Sequence, residues 1–207
     1  LNGIREDVPY SGVGITYTGT PYPWSYDVTH YDGTVDVVGS AILENKGTIR
    51  VGADSTAVEI TGYGFGHVVD DPATAENEAW GGINLYNVGT IDAGAGIAIK
   101  INANNDIGSM ILNGGTIIGD VLLGAGDDDF LHGQNIDYAT GQVLSTGNII
   151  MNDNTIDFGG GDNKFRDNRG VISVAGGDDN LITGDKLTVE MNYGEIDARN
   201  DFLVQPA

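Results

Sequence analysis

Apolar and polar residues alternate over short runs along most of the chain, and Asn and Gly separate the runs. The rhythm is clearest from Gly81, where Ile83–Tyr86, Gly89–Ala93, Gly96–Ile101 and Ser109–Leu112 each read as a strand with two unlike faces. Earlier, Val35, Val37, Ile42, Ile49 and Val51 are candidate interior positions, and the pattern continues through Ala57–Gly62. Between His67 and Trp80 it breaks: Asp-Asp-Pro followed by Ala-Thr-Ala-Glu-Asn-Glu-Ala favours a turn and a short helix. An inserted loop at about 67–80 is expected there. Beyond Gly133 the register is harder to hold, and a variant coil is expected.

The punctuation itself repeats. Asn-x-Gly-Thr-Ile, or a near version of it, begins at Asn45, Asn87, Asn113, Asn152, Asn168 and Asn192. Asn and Gly tolerate positive φ and suit a tight turn, and Thr-Ile then resumes an extended, β-branched run. The spacings of 42, 26, 39, 16 and 24 residues fall near one or two multiples of a solenoid coil of roughly 20 residues. Stacked coils lie about 4.8 Å apart, so turn amides can hydrogen-bond in a ladder while isoleucines fill the interior. A parallel β-helix is therefore expected. Asn45, Asn87, Asn113, Asn152 and Asn192 would form the structural turn ladder, and Ile49, Ile91, Ile117, Ile156 and Ile196 would point into one continuous core.

With these turns and the passage GDVLLGAGDDDF from Gly119 to Phe130, the chain resembles the repetitive passenger region of bacterial autotransporter and related surface proteins, from about Asp32 to Phe202. The resemblance implies an all-β, right-handed parallel β-helix (β-solenoid) that is extracellular or displayed on the bacterial cell surface. It implies structure, adhesion or self-assembly rather than catalysis.

Composition narrows the picture. There are 33 glycines in 207 residues, and 40% of residues are hydrophobic, which suits a turn-dense β chain and argues against a disordered tail. The formal charge of −21 disfavours nucleic acid and anionic membrane as partners. With no cysteine, disulfides, thiol catalysis and thiolate metal sites are all excluded. No run of about 18 apolar residues is present, so no membrane-spanning segment is expected. Leu1 follows no charged-then-apolar leader, so any signal peptide is expected to have been removed or to lie outside this chain.

Residues 1–31 differ from 32–207. Tyr10, Tyr17, Tyr22, Trp24, Tyr26 and Tyr31 cluster there with Pro9, Pro21 and Pro23. A solenoid exposes the strand edges of its first coil, so this segment reads as an aromatic N-terminal cap, a docking segment, or both. Tyr10, Tyr17, Tyr22, Trp24, Tyr26 and, in the inserted loop, Trp80 are the interface candidates, together with the acids Asp70, Asp71, Glu76 and Glu78 near Trp80. The partner expected is another copy, in a homo-oligomer or filament, or a host or matrix glycan or protein.

The acidic turns carry the sharpest chemistry. Gly124, Gly126, Asp128 and Phe130 fit part of a glycine-rich calcium-binding nonapeptide, and turns from Gly159 and Ala175 fit it imperfectly. Asp127, Asp128, Asp129, Asp162, Asn163, Asp178 and Asp179 are the candidate Ca2+ ligands; the competing reading is that Asp follows Gly because both suit tight turns. A β-helical carbohydrate-active enzyme, a polysaccharide lyase or hydrolase, would need carboxylates converging from successive coils. No such constellation is legible, and His30, His67 and His132 lie far apart in sequence without metal-ligand spacing, so no catalytic residue is assigned.

Overall fold

The computed structural model describes residues 3–6, 15–17, 25–32, 35–38, 42–60, 83–101, 108–176, 180–192, 195–198 and 202–206, with side-chain environments within 43–60, 85–101, 108–175 and 180–191. Tyr10, Tyr22, Trp24, Trp80, Asp178, Asp179 and the loop at 67–80 lie outside the described residues. All described regular structure is strand. In chain order the strands are β1 (Gly3–Glu6), β2 (Ile15–Tyr17), β3 (Ser25–Asp32), β4 (Val35–Val38), β5 (Ile42–Arg50), β6 (Thr56–Ile60), β7 (Ile83–Asn87), β8 (Thr90–Ile101), β9 (Met110–Asn113) and β10 (Thr116–Leu122). They continue as β11 (Asp129–Asp137), β12 (Gln142–Thr146), β13 (Asn148–Asn152), β14 (Thr155–Asp157), β15 (Lys164–Asn168), β16 (Val171–Gly176), β17 (Asn180–Gly184), β18 (Thr188–Asn192), β19 (Glu195–Ala198) and β20 (Phe202–Pro206).

These strands stack in three parallel ladders. The first runs β3, β5, β7, β9, β11, β15, β18. The second runs from the later halves of β3 and β5 through β8, β10, β13, β16 and β19. The third runs β4, β6, β8, β10, β14, β17, β20. Each pass of the chain contributes one rung to every ladder, so strands distant in sequence pair in parallel and form a curled, solenoid-like sheet. The parallel stack begins at Ser25, ahead of the Asp32 boundary expected from sequence. On its first rung, β2 pairs antiparallel with β3 and β1 antiparallel with β4. In β2 and β3, Tyr17 and Tyr26 are cross-strand partners.

Three apolar columns fill the interior: Leu43, Leu85, Ile111, Phe130 and Phe165; Ile49, Ile91, Ile117, Ile149 and Ile172; and Val58, Ile99, Val121, Ile156 and Ile182. All are buried in one cluster. Each buried side chain of this size contributes about 1.5–3 kcal/mol. Like residues recur because a parallel register sets each side chain directly over its counterpart one rung away. Phe130 and Phe165 meet edge to face at 5.5 Å, and Phe158 packs on Phe165 at 6.3 Å. Ile49, Ile91, Ile117 and Ile156 lie in one continuous core as expected, though not in one column. Ile156 is buried but aligns with Val121 in the third ladder, and Ile149 takes the position above Ile117. Ile196 aligns by backbone with Ile172.

The reason for glycine in the repeated turn also differs from expectation. Neither Gly89 nor Gly115 has a positive φ; instead a Cβ on Gly89 would collide with the Gly47 backbone, and one on Gly115 with the Gly89 backbone. Turn packed on turn is what requires glycine.

Candidate binding groove beside an inserted hairpin

At the corner between the first and second ladders, stacked asparagines form the expected amide ladder. Asn45 Nδ2 donates to Asn87 Oδ1 at 2.7 Å, and Asn87 Nδ2 to Asn113 Oδ1 at 2.8 Å. Their second N–H groups reach the Thr90 and Thr116 carbonyls at 3.0 and 3.2 Å. Asn45 and Asn113 also accept from Gly47 and Gly115 N–H. These buried amides are therefore satisfied within the column, where an unpaired polar group would cost about 1–3 kcal/mol.

The next members are not asparagines. Backbone register places His132 under Asn113 and Asp167 under His132. Asn113 Nδ2 lies 3.0 Å from His132 Nδ1, and His132 Nε2 lies 3.1 Å from the Val171 carbonyl. An amide N–H on one side and a carbonyl on the other require neutral imidazole with its proton on Nε2. Burial pushes the imidazole down to about 4, against its hydrogen bonds to Val171 and Asn113. Asp167 Oδ1 lies 3.9 Å from His132 Nε2 and accepts from Gly170 N–H at 3.0 Å. Burial pushes the Asp167 carboxyl up, and its Oδ2 has no partner.

Two asparagines expected in this ladder sit elsewhere. Asn152 is exposed; Asn154, buried at another corner, accepts from Asn152 N–H and donates to Asp120 Oδ1. Asn192 aligns with Asn168 rather than with Asp167. An extra turn residue, Arg169 at φ 60°, displaces the sequence motif from the ladder by one position.

The glycine-aspartate turns at 124–129 and 159–164 stack directly: Gly160 N–H donates to the Gly124 carbonyl, and Asp129 aligns with Lys164. β17, which follows the third such copy in sequence, pairs with β14 in the third ladder, whereas β11 and β15 lie in the first. Asp127 Oδ1 accepts from Asp162 N–H at 2.7 Å, Asp162 pairs with Lys186 at 2.7 Å, and Asp129 pairs with Arg166 at 2.6 Å. Asn163 Nδ2 donates to the Gly160, Gly161 and Asp185 carbonyls, occupying acceptors a calcium ion would need. Among the described residues no three His, Asp or Glu side chains converge on a metal position.

Asp128 is buried beneath Ser109, whose N–H donates to Asp128 Oδ1 at 2.8 Å, while Oδ2 has no partner. Burial pushes this carboxyl up to about 8, against the Ser109 hydrogen bond; Asp127 adds to the rise. Asp128 is therefore a neutral acid at pH 7, held in the corner position that Asn163 fills one rung away.

The main departure from a plain stack is a hairpin. After Gly133, β11 leaves the first ladder and pairs antiparallel with β12, Gln134 opposite Thr146 and Asp137 opposite Gln142. At its tip Asp137 accepts from Ala139 N–H and Thr140 Oγ1, and Gly141 takes φ 71°. The chain returns where Gly147 N–H donates to the Gly133 carbonyl at 2.7 Å. The variant coil expected after Gly133 is thus a projecting arm inserted into one corner. The short turn-forming run Asp137–Gly141, which ends in glycine between two short segments, is the signal that could have revealed it.

This arm exposes large side chains: Tyr138 is 97% and Leu144 59% exposed, and Val143 is exposed as well. A groove of about 330 Å3 lies between it and the outward row Tyr86, Leu112, Leu131, with Gln134, Asn135, Ile136, Tyr138 and Asn168 also lining it. Among the described residues that line this groove there is no Asp, Glu, Lys or Arg. On the other flank a depression of about 570 Å3 is lined by Leu131, His132, Ile136, Arg166, Asp167, Asn168 and Arg169. Of the described sequence-predicted site residues only Asn113 lines the groove. Tyr86, Gln134 and Tyr138 were missed because their partners come together only after the hairpin folds over earlier rungs.

Fold and groove together define an all-β scaffold of stacked parallel strands that presents a hairpin arm. No family model, curated protein or solved structure matches the chain. Among the described residues no helix is long and apolar enough to cross a membrane.

Proposed function

We propose that the chain is a right-handed parallel β-helix of the autotransporter-passenger kind, acting outside the cell or on a bacterial cell surface as a non-enzymatic adhesion scaffold. The observation that carries this reading is the β11–β12 hairpin, which holds Tyr138, Val143 and Leu144 exposed on a stack fixed by parallel ladders. Loops and arms on rigid scaffolds supply contacts, and large exposed side chains on such an arm favour partner binding over mere solvation. The absence of carboxylates among the described residues that line the groove supports binding over hydrolysis, since glycoside hydrolases canonically use a pair of carboxyl groups flanking the scissile bond. Self-assembly through residues 1–31 belongs to the same surface role, and salt would strengthen it by screening the net charge of −21.

The test is retention of the purified chain on insoluble polysaccharides and on beads coated with matrix protein, with assay of released reducing ends and unsaturated products. Retention without product is expected. Product that scales with protein would make the chain an enzyme, and no retention on any surface would remove the adhesion reading.

A further inference from the structure

We infer that the groove beneath the β11–β12 hairpin binds a neutral saccharide, seated against Tyr86 and Tyr138 with its hydroxyls hydrogen-bonded to Gln134 at the groove wall. The inference rests on the adhesion reading and names the ligand of its arm.

Size and charge define the class. At about 330 Å3 the groove is at the lower end of small-ligand sites, which span roughly 300–1,000 Å3. In a chain with 30 acidic and nine basic residues, the described residues that line the groove include no Asp, Glu, Lys or Arg, and His132 is held neutral. A cationic ligand finds no carboxylate among them, and an anionic one enters the field of a −21 chain.

The polar groups argue against a purely apolar ligand. Gln134 Oε1 is shielded from water without a hydrogen-bond partner, and so is Ser145 Oγ at the hairpin base. Gln134 lines the groove, so an apolar occupant would leave its orphaned acceptor unpaired. Sugar hydroxyls both donate and accept, matching a carboxamide.

The tyrosines supply the remaining surface. Tyr138 leaves its ring free, and Tyr86 lies in the outward row in register with Leu112. Both tyrosines line the groove; burial, then Glu44, pushes the Tyr86 phenol up, against Lys46, and Tyr138 adds to the rise. Flat apolar rings with polar edges suit a pyranose, which has an apolar C–H face and a hydroxyl rim. The groove is also preformed: a Cβ on Gly114 would lie 2.9 Å from Asn135 Cβ, so glycine lets the hairpin rest on the stack.

Soluble cello-, manno- and chito-oligosaccharides, with oligogalacturonate as an anionic comparison, are titrated into the intact chain and followed by calorimetry and tyrosine NMR shifts. At least one neutral series is expected to bind and shift Tyr86 and Tyr138. Tyr138→Ala and Gln134→Leu should each weaken that binding about tenfold or more, while Asn152→Ala, at an exposed position outside the groove, leaves it unchanged. Gln134→Leu removes an orphaned acceptor, so its melting temperature should hold or rise as binding falls, separating lost recognition from lost folding. Failure of every neutral series to bind, or binding indifferent to both groove variants, overturns the inference. So does tighter binding of oligogalacturonate, or light scattering that shows Tyr138 seated in a second copy. If the chain is retained on matrix protein while no oligosaccharide shifts the tyrosines, the saccharide is wrong and the adhesion scaffold stands. Absence of both removes both.

Discussion

Two stretches of the same column of corners are built from different chemistry. From Asn45 to Asn113 each corner amide donates to the next and is satisfied by it. From His132 to Asp167 the column passes to an imidazole held neutral and a carboxyl with an unpartnered oxygen. Asp128, at a neighbouring corner, is likewise a buried acid where Asn163 is the next occupant. The asparagine stretch carries a plain stack, and the hairpin leaves the chain directly after His132. Polar substitutions that disturb the repeat thus coincide with the arm that interrupts it.

The comparison breaks most sharply at the middle asparagine. Asn87→Ala removes an acceptor from Asn45 and a donor from Asn113 and opens a cavity between them, so a loss of about 3–5 kcal/mol is expected in denaturant unfolding. A loss below about 1 kcal/mol would show that the column carries little of the stability.

At Asp128 the opposite sign is expected. Its folded carboxyl is raised to about 8, so the folded state holds a proton the unfolded chain releases above about pH 4; stability falls as pH rises through that window. Asp128→Asn keeps the acceptor for Ser109 N–H, removes the ionisation, and should stabilise the protein by about 5 kcal/mol at pH 8. Melting temperatures from pH 5 to 8 check it, and an unchanged slope would place the carboxyl in water.

His132 works against Asp128. Its folded value of about 4 lies below the ordinary 6.5, so the unfolded chain binds the extra proton and stability is lost as pH falls between those values. The term is about 3 kcal/mol, and the two slopes offset one another over this range. Asp128→Asn should therefore uncover acid destabilisation below pH 6.5, which His132→Asn in the same background should abolish by continuing the amide column. A flat profile in Asp128→Asn would contradict a buried neutral His132.

The smallest effect is expected outside the column. Asn152→Ala, at an exposed position, should change stability by less than about 0.5 kcal/mol, although its local motif resembles that of Asn87. A cost comparable to that of Asn87→Ala would return Asn152 to the ladder.

The repeat alone determined the all-β class, the parallel pairing of distant strands and the interior placement of Ile49, Ile91 and Ile117. Turn chemistry and alternating polarity are local properties, written within a few residues of each motif. Which motif stacks on which was not local. Asn152 opens a good copy and is exposed, whereas His132 resembles no copy and continues the column. Vertical neighbours depend on how many residues each intervening corner absorbs, and the inserted hairpin and the Arg169 turn change that count. The burial of Asp128 was decided in the same way. In sequence it reads as one of three adjacent turn aspartates, but the stack places it inside and leaves Asp127 exposed. The groove belonged wholly to tertiary structure, because Tyr86 and Tyr138 face one opening only when β11 has paired above β9 and its extension has folded back as a hairpin.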